Sequence, residues 1–223
     1  MTLGWPKDKF SHWDRAQQNE FLKEISAYFP RISAQQLSPK TCPPLWSQSF
    51  LSDQQDVHEE WVFYGGTFNP WHQGHSACLD LLPEKKIIII PDRNPWKKDE
   101  SLIEENLCLF LDQLSQKIHP ERHALYPGFL AAAQANPTID WFSKVVGKKS
   151  LLIGADNLLS FSKWKNYQQL LAQVHCLYVA PRTIEQSEEQ FAAALEHCRL
   201  FAREVRVLDR HDFEDLSSTK LRR

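Results

Sequence analysis

The chain has 223 residues, of which 42% are hydrophobic and 24% are charged. This length and composition are typical of a folded domain with its own core, and they exclude a wholly disordered, collagen-like or coiled-coil chain. Lysine and arginine number 26 against 28 aspartates and glutamates, which gives a formal net charge of −2. Such a balance argues against a protein whose main task is to coat nucleic acid or an anionic membrane.

The cysteines indicate a cellular compartment. There are five of them, spread widely along the chain without a C-x-x-C pair, which favours free thiols in a reducing cytosol. The first residues lack the apolar core of a secretory signal, and no apolar run has the length of a membrane span. We therefore expect a cytoplasmic protein with no nucleic-acid partner and no membrane partner, and leave open whether it forms a homo-oligomer.

Residues 1–60 differ in pattern from the rest and are predicted to form an N-terminal extension. Ser11 and Asp14 have capping-box spacing, and apolar residues then recur at helical intervals until Pro30. The following stretch is rich in proline and has no regular period, which is typical of a linker. We expect the helix to pack on the main domain, residues 61–223, near the C-terminus of the chain.

From residue 61 onward, strand-like apolar runs alternate with helix-like segments. The predicted strands span residues 61–64, 86–90, 150–153, 175–180 and 204–208. The predicted helices span residues 76–82, 100–118, 137–147, 164–172 and 187–198. Because the first strands are apolar on both faces, this alternation predicts an α/β fold, a Rossmann-like doubly wound parallel sheet. Its ligand crevice should lie beyond the carboxyl ends of the strands, at the loops after Tyr64, Ile90, Ile153 and Ala180.

The loop after the first predicted strand reads GGTFNPWHQGH over residues 65–75. Adjacent glycines let the backbone N–H groups approach a phosphate closely. If the next helix begins at about His72, the imidazoles of His72 and His75 lie on one side of its first turn, where the helix dipole favours an anion. A metal site that also uses Cys78 is the alternative, but no fourth ligand lies nearby, and we predict no metal ligand in the protein.

This loop resembles the GG-x-F-x-P-x-H-x-GH signature of the nucleotidyltransferase superfamily with the H-x-G-H motif. Among its members, the chain is most similar to the bacterial nicotinate or nicotinamide mononucleotide adenylyltransferases, from about residue 61 to the C-terminus. The resemblance implies that His72 and His75 are catalytic groups that hold the ATP phosphates. It also implies an ATP-binding role for Gly65, Gly66, Thr67 and Phe68, and a mononucleotide-binding role for Asn69.

Residues 151–182 resemble the segment of the same family that runs from a strand through G-x-D and a Trp-bearing helix to an arginine. By this resemblance, Asp156 binds the ribose of ATP, although a helix N-cap is the simpler interpretation of an aspartate at this place. Trp164 would stack on the pyridine ring of the mononucleotide, with a core tryptophan as the alternative. Arg182 would neutralise phosphate or lie beside the adenine.

Two further segments are similar to the family's mononucleotide-binding elements. The loop PDRNPWKK, residues 91–98, would carry Lys97 toward the substrate phosphate, with Trp96 where a histidine is common. In NPTIDWF, residues 136–142, Thr138 matches the family, whereas the usual Ser-Tyr is replaced by Asn136-Pro137. That replacement leaves the preference between an acid and an amide open.

Near the C-terminus, LSSTKLR resembles the second phosphate-binding signature, I-S-S-T-x-x-R. An ordinary Ser/Thr helix cap is the simpler interpretation when this segment is taken alone. Together with the first loop, the resemblance assigns Ser217, Ser218 and Thr219 to ATP binding and makes Arg222 a third catalytic group, placed at the leaving pyrophosphate.

The resemblance implies an adenylyltransferase that joins ATP and nicotinate mononucleotide to give deamido-NAD and pyrophosphate. It also implies Mg²⁺ held largely by the substrates. Two alternatives remain open. One is a related enzyme that uses nicotinamide mononucleotide, pantetheine phosphate or cytidylyl transfer, and the other is a nucleotide sensor that has lost turnover.

Overall fold

The computed structural model describes residues 14, 16, 60–92, 114, 116–119, 122–125, 137–143, 145, 147–183 and 187–221. Several predictions concern residues outside this set. They are the N-terminal helix and linker, most of the helix predicted at 100–118, Lys97, Asn136 and Arg222. The side chain of Thr219 also lies outside the description.

Six parallel strands form one sheet in the order β3-β2-β1-β4-β5-β6. The strands are β1 (Glu60–Gly66), β2 (Lys86–Pro91), β3 (His123–Leu125), β4 (Lys148–Gly154), β5 (Leu177–Ala180) and β6 (Val205–Val207). Along β1, Trp61 and Phe63 belong to one buried apolar cluster while Val62 and Tyr64 belong to another. Because successive side chains of a strand point to opposite faces, both faces of the sheet are covered. The predicted Rossmann-like α/β fold is confirmed.

Short helices connect the strands. They are α1 (Gln73–Asp80), α2 (Thr138–Phe142), α3 (Ala155–Ser160), α4 (Tyr167–Gln173), α5 (Glu188–Arg199) and α6 (Ser218–Leu221), with a 3₁₀ turn at Phe161–Lys163. Ser187 caps α5, since its hydroxyl accepts the N–H of Gln190 at 3.3 Å and the Gln190 side chain accepts the N–H of Ser187 at 3.2 Å. This capping box explains why the start of α5 could be predicted from sequence to within one residue.

Three helix predictions were wrong in extent. The helix predicted at 76–82 begins at Gln73 and ends at Asp80. The helix predicted at 137–147 ends at Phe142, because the Nζ of Lys149 donates to the carbonyl oxygens of Phe142 at 2.6 Å and Val145 at 2.9 Å. The helix predicted to begin at Trp164 begins at Tyr167 instead. Asn166, just before it, has a φ of 49°, which no right-handed helix continues through. Strand β3, only three residues long, was not predicted.

A buried carboxylate lies at the amino end of the sheet. Glu60 is 8% exposed and accepts hydrogen bonds from Lys85 Nζ at 2.5 Å, from the hydroxyl of Ser150, and from Tyr178 at 3.1 Å and 3.3 Å. Burial by itself raises the pKa of Glu60, but the donors from Lys85, Ser150 and Tyr178 outweigh burial and leave the pKa below its ordinary value of 4.5. Glu60 therefore joins β1, β4 and β5 as an ionised group.

Replacing this carboxylate by an amide tests its contribution to stability. We expect Glu60→Gln to lower the free energy of unfolding at pH 7 by about 2 kcal/mol, since hydrogen bonds to a charged group are lost from a buried position. The pKa of Glu60 is lower in the folded state than in the unfolded chain. Its stabilisation is therefore complete above the unfolded value and is lost as the pH falls through the folded value. Urea unfolding of both proteins over a range of pH measures this.

Glu196→Gln is the matched control, because Glu196 is 71% exposed and pairs with Arg199 on the surface of α5. Glu196→Gln should change the free energy of unfolding by no more than about 0.5 kcal/mol. Equal effects of the two substitutions, or a Glu60→Gln deficit that does not shrink at acid pH, would contradict the role given to Glu60.

Candidate active site

A cavity of about 830 Å³ opens at the carboxyl ends of β1 and β4. The chain adds β2 and β3 on one side of β1 and then adds β4, β5 and β6 on the other side. A sheet built in this way leaves a crevice where the direction of building reverses, and that crevice is the usual ligand site of doubly wound folds. The cavity lies at this position, and its volume is within the range of about 300–1,000 Å³ that is typical of ligand sites.

Aromatic packing determines the path of the loop after β1. Phe68 is 2% exposed and adopts a φ of 49°, which directs its ring under the loop. The ring packs edge-on against Tyr64 at 5.0 Å and against His75 at 5.1 Å. The indole N–H of Trp71 donates to the hydroxyl of Ser76 at 2.8 Å. The loop is thus fixed from below and from the side, so its glycines and His75 are held in one position.

The two histidines of the loop lie together, as the spacing predicts. His72 is the N-cap residue of α1, and the rings of His72 and His75 stack with centroids 3.7 Å apart and planes 23° apart. The backbone N–H of His72 donates to Nδ1 of His75 at 3.3 Å, so the neutral His75 ring carries its proton on Nε2. Both ring nitrogens of His72 are buried and lack a hydrogen-bond partner among the described residues. Both rings line the cavity.

Burial keeps this pair of imidazoles neutral at physiological pH. It lowers the pKa of His75 to about 3, with further contributions from His72 and the positive charge of Arg182. Burial, followed by the charge of Arg182, lowers the pKa of His72 to about 4. Desolvation disfavours the charged form of an imidazole. The pair therefore offers uncharged N–H donors, fixed in direction, to a group that enters the cavity.

Asp156 and Arg182 meet across the ends of β4 and β5. Arg182 Nη1 lies 2.9 Å from Asp156 Oδ2, and Nη2 donates to the carbonyl of Leu216 at 3.1 Å. The N-cap residue of α3 is Gly154, with Asp156 in the first turn, so the alternative of Asp156 as an N-cap is wrong. Both side chains line the cavity. The carboxylate and the guanidinium, predicted separately, form one ion pair there.

Two of the residues predicted to bind a mononucleotide, Thr138 and Trp164, line the cavity. One face of the Trp164 indole stacks on Phe161 with centroids 4.5 Å apart and planes 22° apart, and Trp164 lines the cavity. Thr138, the first residue of α2, lines it too. Asn69 belongs to the loop after β1 but is not among the lining residues.

The C-terminal segment closes the site against the first loop. Ser218, the first residue of α6, is 8% exposed, and its hydroxyl donates to the carbonyl of Pro70 at 3.0 Å. Ser218 lines the cavity, whereas the neighbouring Ser217 does not. The two loops for which phosphate binding is predicted are therefore in direct contact.

Sequence reasoning missed several of the lining residues, and three of them belong to one loop. His211, Phe213 and Glu214 belong to the loop between β6 and α6 and contribute to the wall of the cavity. Their segment, DRHDFED, has no periodicity and no motif of its own. The available signal was position, since the segment directly precedes LSST.

The described residues contain no group of three His, Cys, Asp or Glu that could hold a metal ion. The prediction that the protein supplies no metal ligand stays a prediction. Within the described ranges, no helix has the length and apolar character needed to cross a bilayer.

Comparison with known proteins agrees with this architecture. A family model described as cytidylyltransferase-like matches residues 63–223. The chain belongs to the cytidylyltransferase-like family. A relative from Flavobacterium psychrophilum, a probable nicotinate-nucleotide adenylyltransferase, is 34% identical over 131 residues, which are 53% of this chain and 66% of the relative. One from Helicobacter pylori strain HPAG1, with the same description, is 35% identical over 126 residues, 52% of this chain and 71% of the relative.

A solved structure also resembles this cytidylyltransferase-like chain. Plasmodium falciparum nicotinic acid mononucleotide adenylyltransferase, complexed with NaAD, superposes with a TM-score of 0.55 at 16% identity. The superposition covers 74% of this chain and 83% of that one. At this identity the likeness supports the fold alone. The sequence matches span about two thirds of the length of the bacterial relatives. The predicted family resemblance is confirmed, while the roles of individual residues stay predictions.

Gly74 permits the close packing of this site, and its replacement tests that constraint. A Cβ at residue 74 would lie 3.0 Å from the carbonyl oxygen of Phe213 and 3.1 Å from the His72 ring. We expect Gly74→Ala to destabilise the fold by about 1 kcal/mol, because overpacking against backbone exceeds the gain in helix propensity. Thermal unfolding measures the change.

Gly65→Ala is the matched comparison, since a Cβ at residue 65 meets no atom within 4 Å. The free energy of unfolding of this variant should lie within about 0.5 kcal/mol of the parent value, or slightly above it. If Gly74→Ala proved as stable as Gly65→Ala, the contact with Phe213 would not be a constraint.

Proposed function

We propose that the protein is a nicotinate-nucleotide adenylyltransferase of NAD biosynthesis, acting in the cytoplasm. It joins ATP and nicotinate mononucleotide to give deamido-NAD and pyrophosphate. The observation that carries the proposal is the stacked pair of His72 and His75 beside the cavity at the carboxyl edge of the sheet. Both ring nitrogens of His72 are buried without a hydrogen-bond partner among the described residues. An imidazole N–H in this position favours a ligand rich in acceptor oxygens, and a triphosphate is such a ligand.

The phosphates of ATP lie between the two loops in this proposal. The backbone of Gly65 and Gly66 and the imidazoles of His72 and His75 bind one side of the phosphate chain. Ser218, with Ser217, Thr219 and Arg222 beside it in sequence, binds the pyrophosphate that leaves. The hydrogen bond from Ser218 to Pro70 supports this arrangement, because it joins the two loops next to the cavity.

The ribose of ATP lies near Asp156, whose carboxylate accepts hydrogen bonds from vicinal hydroxyls. Its ion pair with Arg182 supports the assignment, since it keeps the carboxylate in place at the wall of the cavity. Arg182 also lies close enough to His72 and His75 to lower the pKa of both. Its positive charge therefore acts at the same position as the ATP phosphates.

The mononucleotide lies beside Trp164 and Thr138 in this proposal. Trp164 is held from behind by Phe161, so its second face is a rigid surface for the flat pyridine ring. Thr138 contacts the same substrate from the start of α2, and Asn69 and Lys97 bind its ribose phosphate portion. The charged side chain of Lys163 also lines this cavity, which favours the carboxylate of a nicotinate over a neutral amide. Lys165 lines it too, but its Nζ is paired with both carboxylate oxygens of Asp140 at 2.8 Å.

The reaction is an in-line displacement. An oxygen of the 5′-phosphate of nicotinate mononucleotide forms a bond to the α-phosphorus of ATP, and the bond from that phosphorus to the bridging oxygen breaks to release pyrophosphate. The phosphate nucleophile is already ionised, so no general base is required. The protein holds the two phosphates in line and donates hydrogen bonds to the oxygens where charge develops.

A magnesium ion fits this site as a substrate-held ion. The cavity carboxylates of Asp156 and Glu214 are already paired with Arg182 and Arg210, and Mg²⁺ usually takes substrate phosphates together with few protein ligands. When bound, the ion neutralises charge on the phosphate oxygens. The protein residues then orient the phosphate chain that carries it.

The deciding experiment is an assay of the purified protein with ATP, Mg²⁺ and one acceptor at a time. We expect pyrophosphate release with nicotinate mononucleotide, and less with nicotinamide mononucleotide. Release only with pantetheine phosphate, or only with CTP as donor, would place the protein elsewhere in its family. Binding of ATP without release for every acceptor would identify a nucleotide sensor instead.

Removal of the His75 imidazole should slow catalysis without unfolding the protein. We expect His75→Ala to lower kcat by about 10²- to 10³-fold, by analogy with the loss of a donor that stabilises developing charge. Steady-state kinetics measures the loss, and thermal unfolding confirms the folded state. His175→Ala is the control, since His175 precedes β5 at the amino edge of the sheet. A His75→Ala enzyme with normal turnover would contradict the mechanism.

A further inference from the structure

The side chain of His211 lies in the cavity wall, and the proposed function assigns no role to it. It is half-buried in the loop between β6 and α6 and lines the cavity. The backbone N–H of Phe213 donates to its Nδ1 at 3.1 Å, so the neutral ring carries its proton on Nε2. Nε2 is buried and has no hydrogen-bond partner among the described residues. A donor without a partner thus lies in the wall of a ligand cavity.

The loop that carries His211 is fastened at both ends, so the donor has a defined position. Glu214 accepts the backbone N–H of His211 through Oε1 at 3.2 Å, and its own carbonyl accepts the N–H of Thr183 at 3.2 Å. Leu216 receives a hydrogen bond from Arg182 at 3.1 Å. These bonds join the loop to the end of β5. A buried N–H in a rigid loop destabilises the fold unless an acceptor reaches it.

The charges around His211 favour a neutral acceptor over a phosphate. The side chain of Glu214 is 9% exposed and lines the same stretch of the cavity. Hydrogen bonding from Arg210 lowers the pKa of Glu214, so its carboxylate stays ionised at neutral pH. Because Arg210 Nη2 lies 2.8 Å from Glu214 Oε2, the two charges compensate each other. The pair therefore gives a phosphate little attraction, whereas an uncharged heterocycle is tolerated. Phe213, half-buried in the same wall, adds an aromatic surface of the kind on which a purine packs.

The positions of neighbouring groups in the cavity wall also favour a neutral base, rather than a phosphate, as the acceptor. The loop touches Arg182, which pairs with Asp156, the group to which the ribose is assigned. A base attached to that ribose lies next to the loop, while the phosphates extend toward His72 and His75. We infer that His211 is a further ATP-contacting residue, whose Nε2–H donates a hydrogen bond to a ring nitrogen of the adenine. This inference rests on the proposed function, because it takes ATP as the nucleotide that binds.

Binding measurements test this inference without relying on turnover. The dissociation constant of ATP is measured by calorimetry for the parent protein and for His211→Ala, His211→Gln and the remote control His175→Ala. We expect His211→Ala to weaken ATP binding by about tenfold, which is the usual effect of one hydrogen bond to a buried donor. His211→Gln should restore part of the affinity, since its amide can donate from a similar position. Unchanged ATP binding in His211→Ala would overturn the inference.

Analogues locate the contact on the nucleotide. The 1-deaza, 3-deaza and 7-deaza forms of ATP each lack one ring nitrogen. The parent protein should bind one of these analogues about tenfold more weakly than it binds ATP. His211→Ala should bind that same analogue as tightly as the parent protein does. Inorganic tripolyphosphate should bind both proteins equally. If tripolyphosphate loses as much affinity as ATP in His211→Ala, the contact is to phosphate and the assignment to adenine is wrong.

The experiment also separates this inference from the proposed function. A protein that binds ATP through His211 but releases no pyrophosphate with any mononucleotide would uphold the contact and overturn the enzyme. Normal turnover together with unchanged ATP affinity in His211→Ala would uphold the enzyme and overturn the contact.

Discussion

The close approach of Gly74 to the carbonyl oxygen of Phe213 is the contact on which the carboxyl edge of the sheet depends. A Cβ at residue 74 would lie 3.0 Å from that oxygen, so glycine lets the loop after β6 rest against the first turn of α1 without a shift of either backbone. The hydrogen bond from Ser218 to Pro70 then joins two segments that are 148 residues apart in sequence. Because of these two contacts, the cavity wall is continuous from the histidines of α1 to the loop that carries His211.

The two edges of the sheet use polar groups in opposite ways. At the amino edge, Glu60 is fully satisfied by donors from Lys85, Ser150 and Tyr178. At the carboxyl edge, both ring nitrogens of His72 and Nε2 of His211 are buried without a partner among the described residues. Unsatisfied buried donors reduce stability, and natural folds tolerate them where a ligand completes them. Nε2 of His123, at the amino end of β3, is also buried without a partner among the described residues, but His123 does not line the cavity. The unpartnered nitrogens at the carboxyl edge are therefore the ones in position to bind a ligand.

Sequence reasoning succeeded where the signal was local. The β-branched run before Pro91 and the glycines after Tyr64 predicted β1, β2 and the loop between β1 and α1. It failed where a distant residue decides the structure, as when Lys149 ends α2 by binding two carbonyls. The ion pair of Asp156 with Arg182 and the position of His211 also required the fold, since no periodicity links residues that meet only across strand ends. Strand β3, with three residues, is too short for any pattern.

The neutral state of the two stacked histidines has a consequence for the proposed chemistry. A pair of cations would bind ATP, the transition state and pyrophosphate alike, and uniform binding of this kind does not accelerate the chemical step. Uncharged N–H donors in fixed positions distinguish the transition state from ATP and pyrophosphate by geometry, because a hydrogen bond weakens steeply when its angle departs from linear. At the two rings, positive charge comes instead from Arg182, and part of that charge is compensated by Asp156 at 2.9 Å. The imidazole N–H groups bind in defined directions, and the charge of Arg182 is partly compensated. Together they hold an anion weakly enough for an anionic product to be released after each turnover.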